Sequence, residues 1–320
     1  MRQEIFMQKR SDDYTIQEAF DKFIAEKRAI KLSGATIKGY KSSFKHFSEF
    51  YPVAVRRCNS ITNDTVLEFI NFLQDRNPNI KAVSINTYLR DLRVVLYNFM
   101  EHKYMDKFKL KLIKEEIELK ETYSNSELER LLKKPDVKKC SFADYRNWVI
   151  TCYLLGTGNR LGTISNIKIK DVDLENYEIS LRKVKNKKQY IIPLASSLIK
   201  TLAEYLDYRG GEPDDYLFCT RFGGKMHEDS FTTAIYRYNH SRGVLKTSIH
   251  LYRHTFAKNW ILNGGDEFTL QAILGHSSSA MVRVYVNMFG KDLGRNFDKF
   301  NPLENMREVF SSKQSIKMRA

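Results

Sequence analysis

The stretch Ser248-Ile-His250-Leu-Tyr-Arg253-His254-Thr-Phe256-Ala257-Lys-Asn-Trp260 admits few conformations. His250 and Arg253 stand three residues apart, so on a helix they share a face. Phe256, Ala257 and Trp260 continue the helical spacing as a stripe expected to be buried. Thr247 or Ser248 is placed to cap the helix. A rigid apolar helix that begins with a histidine and an arginine holds a cation in place, which implies an anion for it to face. Beyond it, Gly264-Gly265 makes a turn, and Phe268, Leu270, Ile273 and Leu274 form a short helix stopped at Gly275, where glycine is favoured. His276 follows at the turn, Ser277 to Ser279 supply a cap, and a helix from Met281 to Phe289 carries Tyr285.

What sort of anion is suggested by charge. Lys and Arg number 53 against 38 Asp and Glu, a net charge of +15. A surplus of this size points first to a polyanion such as nucleic acid, with mere solubility as the plainer alternative. The 320 residues suggest two domains, and the 42% of hydrophobic residues are enough for ordinary cores. Cys58, Cys140, Cys152 and Cys219 are scattered without ligand-like grouping and are expected to be reduced and mostly buried. Met1 to Arg10 has no apolar core of a signal peptide, and no run of about eighteen apolar residues occurs. A cytoplasmic chain with no membrane contact is expected.

The fold class expected is mainly α with a small β-sheet: an N-terminal helical bundle followed by an α+β domain. After a polar arm (1–11), Thr15-Ile-Gln-Glu18 reads as a capping box, with Ile16, Phe20, Phe23 and Ile24 in helical period behind it. A second helix follows Ser33-Gly34 with Ile37, Tyr40, Phe44 and Phe47, and Pro52 ends it. Thr62 or Asn63 caps a third, with Val66, Phe69, Ile70 and Leu73. The fourth spans Ala82 to His102. These helices make a bundle at 12–112. Their polar faces carry Lys38, Lys41, Lys45, Arg90 and Arg93, which as a set suit a phosphate backbone, although any one lysine is more simply solvated. A charged linker, extended or helical, is placed at 113–122 and the second domain at 123–289.

In that second domain Ser124-Asn-Ser-Glu127 opens a helix, and the apolar 145–155 helix ends at Gly156-Thr-Gly158. Arg160 then stands at the start of the next helix, where its fork could meet an anion, or where it could be an ordinary surface arginine. Tyr177, Ile179 and Leu181 alternate as a strand, as do Tyr190 and Ile192, around a cationic hairpin tip with Lys183, Lys185, Asn186, Lys187 and Lys188. That tip suits a DNA groove or solvent equally. Helices are expected at Leu198–Tyr208 and Phe231–Tyr238, with a short buried piece at Tyr216–Phe218. Tyr285 by itself could be a core tyrosine, and His254 is expected to support its helix by a hydrogen bond. His250 and His254 have the spacing of a zinc helix but lack its glutamate, so no metal is expected.

In order, the chain presents GTGNR ending at Arg160, KVKNKKQYIIPL with Lys185, HLYRHTFA with His250 and Arg253, LGHSS with His276, and VRVYVNM with Tyr285. This set resembles the tyrosine recombinase (phage integrase) family, and the resemblance covers nearly the whole chain, since the front bundle looks like that family's core-binding domain. It implies a DNA strand-exchange enzyme in which Tyr285 attacks the scissile phosphate to give a 3′-phosphotyrosyl link and a free 5′ hydroxyl. Arg160 and Arg253 would brace the non-bridging oxygens, and Lys185 would protonate the leaving oxygen. His250 would assist proton movement near the nucleophile, and His276 would hydrogen-bond the phosphate. No cofactor enters the scheme. The implied partners are double-stranded recombination sites and further copies of the chain, a tetramer in the synaptic complex, together with any accessory proteins. Lys183 and Lys187 join the DNA-contact set, and Lys185 is assigned by aligning backwards from Ile192-Pro193-Leu194. The family usually has an acid three residues after the first arginine, whereas this chain has Thr163, so either support for Arg160 comes from elsewhere or the arginine is held less rigidly. The amphipathic tail 290–320 suits packing on a neighbouring subunit, with docking on its own domain as the alternative. A mobile-element recombinase is the leading reading. A Xer-like dimer resolvase, a type IB-like topoisomerase and a non-catalytic DNA-binding regulator are the others.

Overall fold

The computed structural model describes residues 14–115, 121–182, 190–275 and 280–289. The chain divides into two compact units, 1–118 and 119–320. Together they follow the expected class, a helical first unit and a second unit of helices with one small sheet.

In the first unit four helices, α1 (Ile16–Ala29), α2 (Gly34–Phe50), α3 (Asn63–Arg76) and α4 (Ala82–Glu101), surround one core. The capping box forms as read: the Thr15 hydroxyl accepts from the Glu18 amide while the Glu18 carboxylate accepts from the Thr15 amide. Two further amides at this end, those of Ile16 and Gln17, donate to the Arg56 and Val53 carbonyls, so the 53–58 loop satisfies the helix start. Thr62, not Asn63, caps α3, in a reciprocal pair with Thr65. Phe23, Phe47, Phe69, Ile85, Leu89 and Phe99 are wholly buried. The helices α2 and α4 pack together, and Ser43 Oγ of α2 donates to Asp91 Oδ2 of α4 at 2.7 Å.

After α4 the chain remains tied to this unit. Leu110 is buried in the same core, with Leu112 and Ile113 packed against it. Asn86, 1% exposed, works as a side-chain strand: its Nδ2 donates to the Ile113 carbonyl at 2.9 Å, and its Oδ1 accepts from the Ile113 amide at 3.0 Å. Replacing it with leucine strands both groups, so Asn86→Leu is expected to destabilise this unit by about 2–3 kcal/mol and to speed amide exchange at Ile113. Unchanged protection at Ile113 would show that Asn86 does not hold the segment.

The second unit is built on α6 (Phe142–Thr157), which is buried almost all round and packs on α5 (Asn125–Leu132), α8 (Ser196–Arg209), α9 (Glu228–Ser241) and α10 (Ile249–Leu262). One turn of helix, α7 (Leu161–Ile164), leads to the sheet. The sheet has three antiparallel strands in the order β1 (Val172–Asp173), β2 (Glu178–Leu181), β3 (Tyr190–Pro193), with Ile179 opposite Ile192 and Leu181 opposite Tyr190. The sequence suggested only the last two strands. Two-residue β1 is too short to show alternation, and Tyr177, expected in a strand, instead takes the left-handed turn at φ 58° that joins β1 to β2. Among the described residues two helices follow α10: α11 (Glu267–Leu274) and α12 (Ala280–Phe289). All four cysteines are free, and burial pushes the thiols of Cys58 and Cys152 up to about 12. Among the described residues no helix is long and apolar enough to cross a membrane.

Helix α10 lies between two cores. Leu251 and Tyr252 enter the main one. Ala257, with half-buried Phe256 and Trp260, enters a smaller one shared with Leu270 and Leu274 of α11 and Val282 and Tyr285 of α12. The stripe read from the sequence is therefore real but incompletely covered, and the Trp260 indole keeps a polar partner, donating to the Asp266 carbonyl at 3.0 Å. Ser248 occupies the cap position but makes no capping hydrogen bond with its side chain. Side chains on the far side fix α10 instead. The Tyr252 hydroxyl donates to Asn239 Oδ1 at 2.9 Å, Asn239 Nδ2 donates to the Tyr123 hydroxyl at 2.9 Å, and Thr255 Oγ1 accepts from the Tyr123 amide at 2.9 Å. With both faces engaged, the helix has little freedom to roll, and Arg253 is carried between the two cores.

Candidate active site

Gly158 ends α6 in the left-handed region (φ 61°), and the chain emerging from that turn puts Arg160 immediately before α7. Arg160 Nη1 points at the carbonyls of Leu274 (3.3 Å) and Gly275 (3.4 Å). Arg253, 6% exposed, donates from Nη1 to the Gly158 carbonyl and from Nη2 to the Leu274 carbonyl, both at 2.8 Å. Two guanidiniums from distant parts of the chain thus converge on one carbonyl oxygen.

The three accepting carbonyls lie at the C-terminal ends of α6 and α11, where the helix dipole is negative and carbonyls lack helical partners. This answers the question Thr163 raised. Thr163 is buried and its amide bonds the Arg160 carbonyl, while the guanidinium is steadied by backbone rather than by an acid. Among the described residues Arg160 forms no ion pair. Burial, and then the neighbouring Arg160 charge, push Arg253 down to about 10, which still leaves it protonated at neutral pH. Two guanidiniums clustered in this way concentrate positive charge of the kind that suits a tetrahedral oxyanion.

Tyr285 is 5% exposed within the smaller core. Burial raises its hydroxyl above the ordinary tyrosine range, while the charges of Arg253 and Arg160 pull it back. Its oxygen lies 2.8 Å from His254 Nδ1. His250 sits exposed in the first turn of α10. The expected Lys183, Lys185, Lys187 and His276 fall outside the described residues, as do the Ser277–Ser279 cap and the 290–320 tail. Among the described residues no group of three or more His, Cys, Asp or Glu could hold a metal.

Sequence reasoning missed two neighbours. His254 was expected only to support its helix; the signal that could have found its contact was its place beside Arg253 in an H-x-x-R-H run. Tyr190, on the inward face of β3, feels both arginines, which oppose the rise that burial imposes on its hydroxyl. It fits against Gly275, where an added Cβ would lie 2.7 Å from its hydroxyl.

In the first unit Lys38, Lys41 and Lys45 line the exposed side of α2 as expected from their spacing. Arg93 is half-buried on α4, one turn from Arg90. Arg90 is already engaged, pairing with Glu115 at 2.6 Å, so it helps hold the 110–115 segment.

The family model for the phage integrase family matches residues 121–291, and that for the phage integrase SAM-like domain matches 15–117. The chain belongs to the phage integrase family and is a DNA breaking and rejoining enzyme of the tyrosine recombinase class. Among curated relatives it is 27% identical over 300 residues to tyrosine recombinase XerD of Staphylococcus haemolyticus, covering 90% of this chain and 99% of that one. It is 25% identical over 281 residues to a tyrosine recombinase of Pseudothermotoga lettingae, covering 85% and 93%. The fold is shared with the Tn1549 transposon integrase in complex with transposon right end DNA (TM-score 0.68, 19% identity, 90% of this chain and 99% of that one). It is also shared with a lambda integrase dimer bound to a COC′ core site (TM-score 0.66, 16% identity, 84% and 97%).

Proposed function

We propose that this chain is the site-specific recombinase of a mobile element, cutting DNA through Tyr285 and exchanging strands by way of a 3′-phosphotyrosyl link. The observation that carries the reading is the meeting of Arg160 and Arg253 at the Leu274 carbonyl, with their field falling on the Tyr285 hydroxyl. A phosphodiester under attack gains negative charge on its non-bridging oxygens, and fixed arginine forks meet that charge without reorganising. A phenol with a pKa of about 10 is a poor nucleophile at neutral pH, and the same cations favour its ionised form. Lys185 supplies the proton for the leaving 5′ oxygen, His250 assists proton movement and His276 bonds the phosphate. The covalent link conserves the energy of the broken bond, so a second DNA end can reseal it.

Each chain brings one such tyrosine, and exchange between two duplexes cuts every strand once. The working assembly is therefore a homotetramer on paired sites. Lys38, Lys41, Lys45, Arg90, Arg93, Lys183 and Lys187 contact the phosphate backbone, and the tail beyond Phe289 packs on a neighbouring copy. The enzyme acts in the cytoplasm, where its DNA is. A second reading, housekeeping resolution of replicon dimers, is favoured by the Xer names of relatives matched over nearly their full length.

Incubation with nicked duplexes tiled from the DNA flanking the coding region tests the proposal. The wild type is expected to yield a covalent adduct on a denaturing gel and Tyr285→Phe none. An adduct from Tyr285→Phe would remove Tyr285 as nucleophile, and no wild-type adduct on any tile would favour a DNA-binding regulator. Flanking attachment-like repeats separate the mobile-element reading from the resolvase.

A further inference from the structure

The histidine assigned to proton handling, His250, is exposed in the first turn of α10, whereas the histidine that touches the nucleophile is His254, one turn later. Two other histidines, at the C-terminal ends of α4 and α9, show the local alternative for an imidazole. His102 and His240 each turn Nδ1 to the carbonyl four residues back, at 2.9 and 3.1 Å. His254 instead directs Nδ1 at the Tyr285 oxygen across 31 residues of sequence, at 2.8 Å and with ring centroids 5.7 Å apart. The contact is half-buried and is held from both sides, since α12 packs on α10 and α11.

We propose that His254 is a catalytic residue of this enzyme, holding the Tyr285 hydroxyl in position and accepting its proton as it attacks. The inference rests on the reading of Tyr285 as nucleophile. With Nδ1 unprotonated and the ring hydrogen on Nε2, Tyr285 donates to His254. As attack begins, the Oη–H bond breaks and its proton passes to Nδ1. An oxygen lone pair forms the O–P bond, the P–O5′ bond breaks, and the leaving oxygen takes a proton from a different acid, the role given to Lys185. In rejoining, the 5′ hydroxyl gives its proton back to the group that supplied it, the role given to Lys185, and attacks phosphorus; the P–Oη bond breaks and the imidazolium returns its proton to the leaving Tyr285 oxygen. The imidazolium forms against the Tyr285 oxygen, which the Arg253 charge already reaches, so the proton is readily given back and the site resets. Burial, which raises the Tyr285 hydroxyl, makes such an acceptor necessary.

The full-length chain, assayed in single turnover on the nicked duplex that it cleaves, separates this role from a structural one. His254→Gln keeps an acceptor for the hydroxyl but cannot take the proton, and is expected to cleave about 10²-fold slower. His254→Phe removes both and is expected to be slower still. Placing 3-fluorotyrosine at position 285 makes the hydroxyl more acidic, and is expected to recover much of the loss in His254→Gln while changing the wild type little. A duplex with sulfur replacing the bridging 5′ oxygen needs no acid at the leaving group. It is expected to rescue Lys185→Ala but not His254→Gln. Wild-type cleavage by His254→Gln, absence of recovery with fluorotyrosine, or rescue by the sulfur duplex would each overturn the proposal. If His254→Phe fails to fold, as judged by circular dichroism, the glutamine and fluorotyrosine arms decide the matter alone. Absence of any adduct with the wild type would instead overturn the recombinase reading and this inference with it.

Discussion

Arg253→Lys is expected to slow single-turnover DNA cleavage by about 10²–10³-fold, the range seen when one preorganised oxyanion donor is removed. Charge is retained, so the loss would come from geometry. Arg253 bridges the Gly158 and Leu274 carbonyls, Nη1 2.8 Å from the first and Nη2 2.8 Å from the second, a two-point hold that only a planar fork can make. A lysine ammonium is a point charge that reaches one of these carbonyls at most, and it is lost from the position a phosphate oxygen would occupy. Binding of the duplex, measured by gel shift, is expected to change far less than cleavage, since backbone contacts elsewhere dominate affinity. A cleavage rate within a few-fold of wild type would mean that Arg253 is only a structural strut.

The second large effect concerns stability. Gly158→Ala is expected to destabilise the second unit by about 3 kcal/mol, combining the cost of a left-handed residue with a Cβ and the cost of overpacking. At φ 61° an added Cβ would lie 2.8 Å from both Leu274 Cδ2 and Phe256 Cδ1, side chains of the two helices that complete the site. Urea unfolding followed by tryptophan fluorescence reads the loss, and a loss no larger than the cost of the left-handed backbone, about 1 kcal/mol, would show that the contact with Leu274 and Phe256 relaxes freely. Because the Gly158 carbonyl also holds Arg253, the Gly158 variant is expected to lose cleavage as well.

How much of this was legible beforehand follows from the range of each interaction. Caps are local, so Thr15, Thr62 and Ser124 could be placed from a few neighbouring letters, and so could the glycine stops at Gly158 and Gly275. The H-x-x-R helix and its apolar stripe were likewise written in one stretch. The site's supports were not. The Leu274 carbonyl is backbone, identical in every residue type, and no spacing marks it as an acceptor for two arginines. The meeting of His254 and Tyr285 depends on how α12 returns over α10, which no local period records. Arg90 looked free because its partner, Glu115, lies 25 residues on in a segment without helical pattern. The Thr163 departure was visible, and the missing acid left open whether something else steadies Arg160 or the arginine is held less rigidly; the backbone acceptors appear only once α11 is packed.

The carbonyl shared by Arg160 and Arg253 has a mechanical consequence. Two levers pinned to one oxygen are coupled: a slide of α11 along its axis pulls on both guanidiniums together, while the Gly158 carbonyl at the end of α6 resists through Arg253. The pair is therefore set by the spacing of two helix ends and not by either arginine alone.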